Sequence, residues 1–200
     1  MTSIFVGVYW RARPEELTAC ALKLERHFAM LAETAPSLAI WFRRGGRKPR
    51  PDQALEPAAA NLERMLAKSV NRTDIGKIPI PELGWSLGVW NGGVGGLEAS
   101  TSVHCGFHGK TRGLSNSAYV SIGPREDAVW DTPSMPMGLL KRLIEIWEPE
   151  KGVIRRQDGA EAATELASYT TSLWRNPIKF GRTEHLKRGR IWIAPGAALD

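Results

Sequence analysis

His104, Cys105 and His108 form the densest group of possible metal ligands in the chain, and imidazole and thiolate are ligand types that zinc prefers. The run that carries them, LEASTSVHCG at 97–106, alternates like a strand, so His104 and Cys105 face opposite ways and cannot easily share an ion. They read as surface histidines and a buried cysteine, and no metal or other cofactor is expected. Gly109-Lys110-Thr111 resembles the end of a phosphate-binding loop, but that motif needs a glycine where this chain has His104 and a helix where it has a loop and a strand. The glycines of Gly92-Gly93-Val94-Gly95-Gly96 lack dinucleotide-binding spacing and read as a hairpin connection. No HExxH, GxSxG or Cys/His nucleophile signature occurs. A catalytic site would have to be assembled by the fold, with Glu98, His104 and Tyr119 as its candidates, and no enzyme is expected.

The elements around these residues are legible from periodicity. Residues 3 to 10 alternate, with Ile4, Val6, Val8 and Trp10 on one face and Phe5 and Tyr9 on the other. After Pro14, Leu17, Ala21, Leu24, Phe28 and Leu31 recur at helical spacing until Pro36. Ser37 to Arg44 predicts a second strand, and Pro57 a short helix carrying Leu62, Met65 and Leu66. Three glycine-separated runs, 84–93, 97–106 and 116–124, predict consecutive antiparallel strands. Leu97, Ala99, Thr101, Val103 and Cys105 share one face of the second, with Glu98, Ser100, Ser102 and His104 opposite. Ala118, Val120 and Ile122 oppose Ser117, Tyr119 and Ser121 in the third. Leu139, Leu140, Leu143, Ile144 and Trp147 predict a helix ending at Pro149. A second helix is predicted to open at Asp158 and to carry Ala163, Leu166, Ala167, Thr170 and Trp174, with 190–194 as a last short strand. One apolar and one serine-rich sheet face imply an α+β fold, mainly antiparallel sheet with helices packed on one face, as a single domain over 1–200.

The 200 residues are 42% hydrophobic and 24% charged, which excludes long disorder and rod-like folds. Cys20 and Cys105 form no CxxC pair, which favours a reducing compartment over a disulfide framework. No apolar run approaches a membrane span and the N-terminal run is too short for a signal segment, so a cytoplasmic protein is expected. The net charge of +6 is unevenly spread: 43–50 carries +5 and 179–190 carries +4, leaving −3 elsewhere. Between Glu126 and Glu165, nine carboxylates face five bases. The basic loop beside Trp41 and Phe42 has the charge and stacking surface used for single-stranded nucleic acid. Adjacent strand residues cannot both point outward, however, so a solvated loop with its aromatics in the core is favoured.

The segment ELGWSLGVWNGG at 82–93, followed by the small-polar strand LEASTSVHCG, resembles the signature of the immunity protein 52 family of bacterial polymorphic toxin systems. The likeness extends more weakly to both sides, and Trp85 to Gly93 is its specific part. It implies an α+β cytoplasmic protein of type VI secretion-type toxin systems, encoded beside a toxin that it neutralises by direct binding. That toxin often carries a restriction-endonuclease-like nuclease domain. The family normally runs somewhat further, so the resemblance implies that its last strand or helix is missing or shortened here.

An inhibitor needs only a rigid scaffold and a complementary surface. The expected partner is a cognate toxin, with neither membrane nor nucleic acid. A nucleic-acid-binding module using 43–50 and 179–190 is the rival reading. Two competing toxin-binding surfaces are candidates. One is the polar sheet face and its adjoining turn, with Trp90, Asn91, Glu98, Ser100, His104 and Tyr119. The other is the acidic helix end with Glu145, Glu148 and Glu150, which suits a basic nuclease groove. Trp85 and Trp90, five apart, are expected on opposite sheet faces.

Overall fold

Alternation in the N-terminal strand puts Ile4, Val6, Val8 and Trp10 into the core, each no more than 4% exposed, while Phe5 and Tyr9 are only partly covered. This strand is the middle of the sheet in a computed structural model that describes residues 2–43, 53–93, 97–110, 114–125, 134–158, 162–171, 181–197 and 199. Among the described residues there are nine strands: β1 (Thr2–Trp10), β2 (Phe42–Arg43), β3 (Trp85–Trp90), β4 (Ala99–Cys105), β5 (Asn116–Arg125), β6 (Lys151–Asp158), β7 (Thr164–Thr170), β8 (Arg182–Leu186) and β9 (Gly189–Ile193). They form one sheet in the order β2-β3-β4-β5-β1-β6-β7-β9-β8, every neighbouring pair antiparallel.

Three α-helices, α1 (Leu17–Thr34), α2 (Ala59–Lys68) and α3 (Met135–Trp147), cover one sheet face. The predicted stripe of α1 is buried at Ala21, Leu24, Phe28 and Leu31, and that of α3 at Leu139, Leu140, Leu143, Ile144 and Trp147. Trp147 stacks on Trp10 of β1 with ring centroids 5.3 Å apart. Leu62 and Leu66 of α2 join the same core. The α+β class with helices on one face therefore holds.

Two predicted elements are corrected. Among the described residues 37–43 only Phe42 and Arg43 pair as a strand, because Pro36–Leu38 forms a 3-10 turn directly after α1. Trp41 turns inward and donates its indole N–H to the Leu38 carbonyl at 2.8 Å. The helix predicted from Asp158 is instead β7. A register shift between Ile154 and Arg155 lets β7 bury two successive residues, Leu166 and Ala167, on the core side. That doublet mimicked a helical stripe. β6 and β8 carried no strand prediction, whereas the predicted last strand is β9.

Candidate functional site

The face of the sheet opposite the helices is floored by small residues. The register aligns Trp90, Ser100, Ser121, Phe5 and Arg155 in one row across β3, β4, β5, β1 and β6. A second row runs Gly88, Ser102, Tyr119, Gly7 and Val153, and a third Ser86, His104, Ser117, Tyr9 and Lys151. A Cβ on Gly7 would lie 2.6 Å from Phe5 Cε1 and 3.1 Å from Tyr9 Oη, so glycine lets both rings lie over the strand. The Phe5 and Tyr119 rings meet at 5.3 Å, tilted by 32°. Burial raises the Tyr9 phenol above its ordinary pKa, with Arg155 pulling the other way.

Trp90, Glu98, Ser100 and Ser121 line a pocket of about 350 Å³ on this face. Ser121 also lines a second pocket of about 240 Å³ with Phe5, Arg155 and Gln157. The expected opposition of the two tryptophans is observed. Trp85 lies on the same side as the buried Leu87 and Val89 and against the core, and Trp90 lies on the helix-free side.

The other sequence candidates separate into different environments. Asn91 is fully buried, and its side chain is saturated. Its amide donates to the Ser37 and Leu97 carbonyls, while its oxygen accepts from the Gly93 and Ala99 amides. It closes the β3–β4 turn and is withdrawn from any partner, a correction to its expected place on a binding surface. His104 is on the open face, with Nε2 2.7 Å from the Leu83 carbonyl and Nδ1 3.3 Å from that of Ser115. Cys105 faces inward and shares a thiol hydrogen bond with Cys20, which together with burial raises its pKa. Both cysteines are free. Among the described residues no group of three or more His, Cys, Asp or Glu is placed to hold a metal.

Glu98 and His104 are six residues apart along one strand direction, about 20 Å, so Glu98, His104 and Tyr119 do not converge on one point. At the acidic helix end Glu145 is exposed, but Glu148 pairs with Arg188 at 2.5 Å and Glu150 with Arg11 at 3.1 Å. Of the basic loop, Arg44–Arg50 lie outside the described residues, as do Val94–Gly96, Thr111 and Trp174. Trp41 and Phe42 are buried and offer no stacking platform. The described part of the basic C-terminal segment, 181–190, takes in β8, its turn and the start of β9.

Two features escaped the sequence reading. Arg155 joins the open face only because β6 pairs with β1. His27 is fully buried in a relay from Trp147 to Thr101, and burial lowers its pKa to about 3. Spacing held a signal for His27, which follows Leu24 by three and precedes Leu31 by four.

In comparisons with known proteins, the model of the immunity protein 52 family matches residues 2–171, a stretch that runs through β7 and stops before β8. No curated protein matches the chain.

Proposed function

This chain belongs to the immunity protein 52 family, and from that premise we propose that it neutralises a secreted nuclease toxin by direct contact through its helix-free sheet face. The observation that carries this reading is the half-exposed aromatic set Phe5, Tyr9, Trp90 and Tyr119 above a floor of serine and glycine. Aromatic anchors of this kind supply most of the binding energy in protein interfaces, and small neighbours let a partner backbone approach. Glu98, Ser100 and His104 supply polar contacts at the rim of the same face. The acidic helix end is the weaker candidate, since Arg188 and Arg11 already engage Glu148 and Glu150. The chain needs no chemistry of its own: the toxin, restriction-endonuclease-like and delivered by a type VI or related polymorphic system, is captured in the cytoplasm.

Co-expression with the toxin encoded beside this chain should restore bacterial growth, and the two proteins should co-purify. A folded Trp90, Glu98, Tyr119 triple-alanine variant should lose both properties. Unchanged rescue and affinity in that variant would remove the sheet face from consideration and leave Glu145 and its neighbours as the better surface.

A further inference from the structure

We propose that the two adjoining pockets between Trp90 and Arg155 hold a segment of the toxin carrying a basic residue at the Trp90 end and an acidic residue at the Arg155 end. The proposal rests on the toxin-binding reading above and adds the chemistry of what is bound. Trp90 and Glu98 line the first pocket, and Arg155 and Gln157 line the second; Ser121 forms part of both walls. The register places Trp90, Ser100, Ser121, Phe5 and Arg155 on five successive strands, so the row crosses four strand spacings, about 19 Å. An extended segment of about five or six residues, running across the strands, spans that length.

The ends of the row are of opposite sign. The Glu98 carboxylate is exposed and has no ion-pair or hydrogen-bond partner among the described residues; only its backbone carbonyl is engaged, by the Gly123 amide at 2.6 Å. A side chain at Gly123 would crowd this end, since a Cβ there would stand 3.1 Å from both the Cβ and the carbonyl oxygen of Glu98. A lysine or arginine entering the pocket meets the carboxylate and the face of Trp90 together, joining an ion pair to a cation–π contact. At the far end Arg155 is held only loosely, 3.9 Å from Glu165, and its forked donors remain available to an incoming carboxylate. Ser100, Ser121 and Phe5 between them carry no charge, so the middle of the segment is small or apolar. A nucleic acid strand does not fit this pattern, because Glu98 repels phosphate at one end.

The test uses the full chain and the toxin encoded beside it, with dissociation constants measured in solution and folding checked by melting temperature. Glu98→Lys and Arg155→Glu should each weaken binding by about ten-fold or more, and Arg155→Gln, which avoids a new repulsion with Glu165, should weaken it less. Lys68→Glu on α2, in the opposite layer, should leave affinity within about two-fold. Toxin variants selected to be neutralised again by Glu98→Lys should have lost or reversed a basic residue. Wild-type affinity in folded Glu98→Lys and Arg155→Gln, or suppressors confined to uncharged toxin positions, would overturn the proposal. If Tyr119→Ala weakens binding while the charge variants do not, the sheet-face reading survives and this proposal alone falls. If the wild-type chain does not bind the toxin, both fall together.

Discussion

The Trp147 indole donates to His27 Nδ1 at 3.2 Å, which makes that nitrogen an acceptor and puts the ring proton on Nε2. Nε2 then donates to the Thr101 hydroxyl at 2.9 Å, and Thr101 donates onward to the Tyr119 carbonyl at 2.7 Å. A second ring proton would have no acceptor, and burial takes the pKa from 6.5 to about 3. The folded value lies below the unfolded one, so the unfolded chain binds a proton in this interval that the folded chain does not. The contribution of neutral His27 is fully present above pH 6.5 and declines as pH falls toward 3, by up to about 1.4 kcal/mol per unit. Urea midpoints should therefore drop between pH 7 and 5, and His27→Gln should flatten that slope; parallel profiles would assign the acid lability to other groups. The tryptophans give a second prediction. The Trp85 ring lies over Gly106, where a Cβ would stand 2.3 Å from Cζ3, so Trp85→Ala opens the sheet's inner side and should cost about 3 kcal/mol. Trp90→Ala should cost less than about 1 kcal/mol yet weaken toxin binding. Equal small losses of stability in the two variants would show that β3 is not packed this way.

Among the elements, legibility followed how local the determinants are. β1, β3, β4, β5 and the stripes of α1 and α3 were readable because alternation or helical spacing alone decides which side is buried. β7 was not, since its buried Leu166–Ala167 doublet arises from a register shift against β6, a relation between strands that no single segment displays. β8 failed for a different reason: as an edge strand with Arg182, Thr183 and His185 exposed, it has almost no buried face to betray it. The open face was likewise half visible. Its β4 and β5 residues could be assigned, but Phe5 and Arg155 become neighbours of Tyr119 and Ser121 only through the placing of β1 at the centre of the sheet. Asn91 was misassigned because a polar residue in a glycine-rich turn looks exposed, while its four hydrogen bonds are what hold that turn. The strand assignment of β7 makes a prediction at this scale. Ala167 and Tyr169 amides, paired within the sheet, should exchange as slowly as those of Val6 and Val8. Rapid exchange at Ala167 and Tyr169 beside slow exchange in β1 would mean that β7 is not part of the central cooperative unit.

For the whole molecule the question is whether a net charge of +6 makes nucleic acid the partner. Part of the described charge is already engaged internally: Arg188 with Glu148, Arg11 with Glu150, Lys141 with Glu184 and Arg142 with Glu33. These pairs are at the surface and add little stability, but they lower the local potential that would draw in a phosphate backbone. Of the aromatics beside the basic loop, Trp41 is in the core and Phe42 is buried next to Trp90, and the aromatics that are half-exposed share their face with Glu98. A phosphate-driven complex loses affinity log-linearly with salt, with a slope near −0.9 for each phosphate neutralised on duplex DNA. A complex anchored by Trp90, Tyr119 and Phe5, with one charge of each sign at the ends of a groove, should show a slope no steeper than about −2 on the same scale. Titrating the toxin complex from low to high sodium chloride, in parallel with duplex and single-stranded oligonucleotides, separates the two cases. The expected result is a shallow slope for the toxin and oligonucleotide binding that vanishes near physiological salt. Retention of either oligonucleotide under those conditions, with a slope of about −5 or steeper, would make the basic segments the functional surface and the sheet face incidental.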